Sequence, residues 1–168
     1  AILIITIIVV AIKNKVLNNS KYTMLKICRD IYGDTLGNYK YYEFKGIKEL
    51  WQAFIELQNE QPYDWELWCL GVGDIQPINH PNIKHFGFVQ PKDLANYTSQ
   101  TGVFILPSRF EPWGVVVHEF AASGFPLLLS NKVGAKEQFL QEGKNGFVFK
   151  SESVNDIKQA LKKIMNTK

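Results

Sequence analysis

The sequence is poor in the residues that cross-link a chain or hold a metal. It has two cysteines and three histidines. Cys28 and Cys69 stand alone without a CxxC pair, so neither a disulfide framework nor a zinc knuckle is indicated. Isolated thiols of this kind suit a reducing compartment. His80 and His85 in "HPNIKH" have a poor spacing for ligands on a helix and read as surface or loop histidines. No dense Lys/Arg tract interleaved with aromatics occurs, and a formal net charge of +3 is only weakly basic. Nucleic acid is therefore a poor candidate partner. The basic ends "KNKVLNNSK" and "LKKIMNTK" read as solvated surface. Internal repeats and low-complexity segments are absent. So is a long apolar run: "AILIITIIVVAI" at residues 1–12 falls well short of the roughly 20 residues a membrane-spanning helix requires. No initiator Met opens the chain and no small-residue cleavage site follows the run, so a signal peptide is not indicated. The run's β-branched richness predicts a buried strand. A start without Met also suits a piece of a longer protein.

What is present is a regular alternation of short strands and amphipathic helices. "TLGNYKYY" is strand-like and runs into "EFKG". "IKELWQAFIELQ" has apolar residues at the helical period. "WELWCLGVG" and "NIKHFGFV" predict strands, and "PKDLANYTSQ" predicts a helix opened by Pro91 with an early Asp93. "GVFILP" is a buried strand stopped by Pro107, and "GVVVHEFAASG" a helix closed by Gly124. "PLLLS", "AKEQFLQEG" and "NGFVF" follow as strand, helix and strand. "SESVNDIKQALKKIM" is a final helix with Ser151 or Ser153 as its N-cap. This alternation predicts an α/β fold with a parallel sheet covered by helices on both faces. The chain is long enough to bury one full core. Residues 13–35 are polar and weakly periodic, and receive no firm assignment.

In such sheets ligands bind beyond the carboxyl ends of the strands. Lys45 and Gly46, Gly71 to Asp74, Val89 and Gln90, Ser108 to Gly114, and Gly134 to Glu137 all fall there. The stretch "PSRFEPWGVVVHEFAASGFP" is the most telling. Pro112 suits a first helical position, and Gly114 lets backbone approach a ligand closely. The free N–H groups and the dipole of the helix start suit a phosphate. Val115 would supply one of those donors, and Lys45 a full positive charge. Glu119 lies roughly 8 Å further along the axis, where a carboxylate can accept two ribose hydroxyls. Glu111 would face the group beyond the diphosphate. Each residue alone has a plain reading as surface charge or turn glycine. Their joint placement carries the functional one.

These residues resemble the E-x7-E region of the family 4 glycosyltransferases, retaining enzymes with the GT-B fold. "FILPSRFEPWGVVVHEFAASGFPLLLS" carries the resemblance, and "EFKGIKELWQAF", "DWELWCLGVGD", "NIKHFGFVQPKDL" and "EGKNGFVF" match further blocks in the same order. It covers roughly residues 36–165. The resemblance implies a Rossmann-like, nucleotide-sugar-binding domain from residue 36 onward, with residues 1–35 an uncertain strand, linker or remnant. By the same resemblance Glu119 binds the donor ribose, Gly114 and Val115 the diphosphate, and Glu111 the donor sugar at the reacting centre. Lys45 neutralises phosphate charge, Val89 lies near the base, and Lys40, Gly46 and Gly73 complete the donor-binding set.

A UDP- or GDP-sugar donor is implied, with no metal or other cofactor. The sequence has no DxD-type metal motif, which agrees. The implied reaction is sugar transfer to an acceptor hydroxyl in surface polysaccharide or glycoconjugate synthesis. The setting is cytoplasmic, with the full enzyme's peripheral association with the inner membrane face left open. Two departures stand out. Tyr39-Lys40 replaces the family's Gly-Arg, and Lys carries the charge without the bidentate fork of Arg. The acceptor-binding half, which would contact a carbohydrate or lipid-linked acceptor, has no room in residues 1–35, so the chain alone is expected to be inactive. A GT-B sugar-nucleotide epimerase and a non-catalytic binding module are the rival readings.

Overall fold

The computed structural model describes residues 22–27, 44–71 and 75–166. Its sheet has six parallel strands. They are β1 Tyr22–Ile27, β2 Trp65–Leu70, β3 Ile83–His85, β4 Phe104–Leu106, β5 Leu127–Ser130 and β6 Gly146–Phe149. The helices are α1 Ile47–Glu60, α2 Leu94–Thr98, α3 Val115–Ala122, α4 Lys136–Phe139 and α5 Val154–Met165. The strand order is β3-β2-β1-β4-β5-β6, which reverses direction between β1 and β4 and is the doubly wound order of dinucleotide-binding sheets. The fold is thus α/β and Rossmann-like, as the alternation predicts.

The central strand β4, "FIL", is wholly apolar and β5, "LLLS", nearly so, as expected where helices cover both faces. All of β4 and all of β5 are buried. On α1 the buried residues Ile47, Leu50, Trp51, Ala53, Phe54 and Leu57 recur at helical spacing and form one stripe. Phe104 of β4 stacks on Phe120 of α3 with centroids 4.7 Å apart, which fixes α3 to the strand that precedes it. The outer face of α1 is held to α5 by Lys158, whose ammonium lies 2.6 Å from Glu60 and 3.3 Å from Glu56. Hydrogen bonds from Gln52 and Lys158 hold the Glu56 carboxyl below its ordinary pKa.

Helix ends follow local chemistry. Gly124, at φ 76, ends α3 in a left-handed turn closed by Phe125 N–H to Phe120 O at 3.0 Å and Gly124 N–H to Ala121 O at 3.0 Å. Ser153 caps α5, its hydroxyl accepting from Asp156 N–H at 3.2 Å. Ser153→Ala should therefore lower unfolding free energy by about 1 kcal/mol, read as a shift in the denaturant midpoint; an unchanged midpoint would contradict the cap.

Three sequence readings need amendment. The central strand β1 falls at Tyr22–Ile27, inside the segment that periodicity leaves unassigned, so the sheet reaches back beyond residue 36. The strand read in "NIKHFGFV" shrinks to three residues, Ile83–His85. Pro112 is not the first residue of a helix: α3 starts at Val115 with Gly114 as its N-cap, and Pro112 sits in the bend before it. The strands read in "AILIITIIVVAI" and "TLGNYKYY" lie outside the described residues.

Candidate functional site

The strand order reverses between β1 and β4, and in doubly wound sheets the carboxyl ends at such a reversal are where ligands bind. From the β1 side comes the turn Phe44-Lys45-Gly46 that opens α1. From β4 comes the loop Pro107–Gly114 that opens α3. The two loops meet through charge. Lys45 Nζ lies 2.7 Å from Glu111 Oε2, with the two side chains only 6% and 17% exposed. A lysine so deeply covered is rare unless paired.

Glycine makes that approach possible. Gly46 has φ 61, and a Cβ there would stand 2.0 Å from the Pro107 carbonyl oxygen. On the other side, a Cβ on Gly134 would stand 2.0 Å from the Pro112 carbonyl oxygen. This brings the β5–α4 loop against the β4–α3 loop, with Gly134 N–H donating to Glu111 O at 3.0 Å and Ala135 N–H to Trp113 O at 2.8 Å. Beneath them, the buried Ser130 hydroxyl donates to Ser108 O at 2.5 Å, tying the ends of β4 and β5 together.

The start of α3 is open in chemical terms. Gly114, buried and at φ 91, makes no side-chain cap, and the first turn has no acidic residue. Helix geometry leaves the first N–H groups without intrahelical acceptors. Val117 N–H turns back to Gly114 O at 2.9 Å, while Val115 stays 39% exposed. Trp113 Nε1 donates to His118 Nε2 at 2.8 Å, and His118 lies against Phe139 of α4, so the helix start is braced from the α4 side. Glu119 stands exposed on α3, one and a half turns past the open end.

The structure therefore brings together Lys45, Gly46, Glu111, Gly114 and Val115, with Glu119 on the same helix. Val89 follows β3, half-buried, and Gly71 N–H binds Gly87 O at 2.5 Å, joining the ends of β2 and β3. Lys40 and Gly73 lie outside the described residues. Arg109 lies within the Ser108–Gly114 stretch that the sequence puts at the strand ends but receives no role there; its guanidinium pairs with Glu49 of α1. Its only signal is its position inside the "PSRFE" stretch. Among the described residues no group of three or more His, Cys, Asp or Glu converges as a metal site, and no helix is long and apolar enough to cross a membrane.

Known proteins share this fold. An uncharacterised 41.2 kDa protein in the cps region of Klebsiella pneumoniae is 25% identical over 108 residues, covering 64% of this chain and 30% of that protein. The apo form of the lipopolysaccharide outer core galactosyltransferase WaaB superposes with a TM-score of 0.61 at 16% identity, over 83% of this chain and 38% of that one. The pneumococcal O-GlcNAc transferase GtfA, in complex with UDP and GlcNAc, superposes with a TM-score of 0.57 at 18% identity, over 94% of this chain and 31% of that one. The chain thus spans about a third of the length of each. The family model for glycosyl transferases group 1 matches residues 35–167. The chain belongs to the group 1 glycosyl transferases and has the fold of the C-terminal domain of a GT-B enzyme.

Proposed function

We propose that this chain is the donor-binding half of a retaining glycosyltransferase that moves a sugar from a nucleoside diphosphate to an acceptor hydroxyl. The observation that carries the proposal is the uncapped start of α3, set beside the pair of buried Lys45 and partly buried Glu111 at the reversal of the sheet. In this reading the diphosphate sits on the Gly114 and Val115 N–H groups, where the helix dipole favours an anion. Lys45 meets the charge that grows on the diphosphate as the bond to the sugar's anomeric carbon breaks. A cation in a covered site, once the diphosphate has drawn it from Glu111, lowers that barrier more than one in water would. Glu111 orients the sugar, and Glu119 accepts the ribose hydroxyls. These protein groups alone offset the leaving charge, so the reading invokes no metal. The acceptor is held by the part of the enzyme that this chain does not span, and the product is a surface polysaccharide or glycoconjugate. The UDP bound to the pneumococcal enzyme and the lipopolysaccharide role of WaaB support the choice of donor and product class.

Calorimetric titration with UDP and GDP, beside Glu119→Ala, tests the reading. Saturable binding of one nucleotide is expected, weakened at least about tenfold in the variant, a change of about 1.4 kcal/mol. Equal affinity in both proteins would remove Glu119 from the site. No binding of either nucleotide by the wild type would overturn the donor-site reading itself.

A further inference from the structure

We infer that Arg109 is a positioning residue for the donor site, holding the Lys45 turn against the loop that carries Glu111 and leads into α3, and so keeping Lys45 within reach of a diphosphate at that helix start. The inference rests on the donor-site reading above. Lys45 and Glu111 are 66 residues apart in sequence, and each sits on its own loop, so their close meeting needs something that couples the loops. Arg109 couples them twice. Its backbone N–H donates to the carbonyl of Phe44, the neighbour of Lys45, at 2.7 Å. Its guanidinium pairs with Glu49 in the first turn of α1, four residues beyond Lys45. Glu111 follows only two residues after Arg109.

The two ends of the guanidinium are not equivalent. Nη2 pairs with Glu49, whose side chain is 14% exposed, while Nη1 stands 3.6 Å from Glu152, whose side chain is 61% exposed. An exposed partner at that distance contributes little, so the Glu49 contact carries the positioning. Holding both carboxylates leaves Nε buried and without a partner, a cost accepted only where the bridging pose is otherwise favoured. The planar fork of arginine reaches two carboxylates at once, and the single ammonium of lysine does not. Glu49 itself gains from the positive end of α1, so the contact also fixes where that helix begins, immediately after Lys45-Gly46.

The expected consequence is a loss of ligand affinity out of proportion to any loss of stability. Arg109→Gln should weaken whichever of UDP or GDP the wild type binds by about five- to tenfold, because a small misplacement of a charged group is costly in a preorganised site. Glu49→Gln should do the same, and the double variant should be no worse than either single one, since both remove one coupling. Arg109→Lys should recover part of the affinity. Lys158→Met, which loosens the other end of α1 from α5, should lower the melting temperature and leave nucleotide affinity unchanged. Unchanged affinity in Arg109→Gln, additive losses in the double variant, or an equal loss in Lys158→Met would each overturn the positioning role. Failure of the wild type to bind either nucleotide would overturn the donor-site reading and this inference with it, an outcome distinct from failure of the Arg109 series alone.

Discussion

Gly46→Ala is expected to destabilise the fold by about 3 kcal/mol or more, among the larger effects a single methyl group can have. Two costs add. The residue has φ 61, a left-handed conformation that costs a residue with a Cβ about 1–2 kcal/mol. The new Cβ would also stand 2.0 Å from the carbonyl oxygen of Pro107, and backbone cannot swing aside as a flexible side chain can. Gly124→Ala separates the terms, because Gly124 has φ 76 with nothing within 4 Å of its added Cβ. Only the conformational cost, about 1 kcal/mol, should appear there. Denaturant unfolding of the two variants gives the difference, and equal destabilisation would show that the loops at Gly46 and Pro107 are not in tight contact. The consequence for the site is direct. Relief of the clash must push the Lys45-Gly46 turn away from the β4 loop, so any folded Gly46→Ala protein should also bind nucleotide poorly.

The fold around this contact was legible in the sequence, but unevenly. Strands such as "FIL" and "LLLS" are wholly or nearly apolar because both faces are buried, and α1 repeats its buried residues at helical spacing. Those patterns are set by burial, and burial is what hydrophobic periodicity reports. That Lys45, Glu111 and Gly114 fall together was legible only from their joint placement at strand ends, since each alone reads equally well as surface charge or turn glycine. β1 was not. Its six residues, "YTMLKI", mix polar and apolar side chains between polar flanks, and only pairing with β2 and β4 makes a strand of them. Tertiary pairing overrides local pattern in this way throughout sheets. Pro112 misled for a different reason. Proline is at home at a first helical position, but Gly114 at φ 91 breaks the helical path, so the helix begins after it. The role of Arg109 was invisible because it depends on Glu49, 60 residues away. No local signal marks a partner at that separation.

Glu111→Gln should tighten the binding of UDP, or of GDP if that is the nucleotide bound, by about tenfold while abolishing most transfer by the full enzyme. The reasoning starts from the ligand-free pair. Lys45 is held at 2.7 Å by Glu111, so a diphosphate that recruits Lys45 must compete with a carboxylate already in place. Glutamine keeps the shape and removes the competing charge. The variant should be less stable without ligand, by about 1–3 kcal/mol, because a covered ammonium then lacks its anionic partner. Ligand should return more stability to it than to the wild type. At fixed nucleotide concentration well above the dissociation constant, tenfold tighter binding adds about 1.4 kcal/mol of stabilisation. Melting curves with and without nucleotide would read this as a larger ligand-induced shift in the variant. A free nucleotide carries no sugar, so the contact proposed between Glu111 and the sugar does not enter the measurement. Lys45→Met should behave oppositely, losing nucleotide affinity. Weaker nucleotide binding by Glu111→Gln would mean that the carboxylate orients Lys45 toward the ligand instead of holding it back. The ion pair would then be part of the bound state, and Lys45 would not need to change partners when the donor arrives.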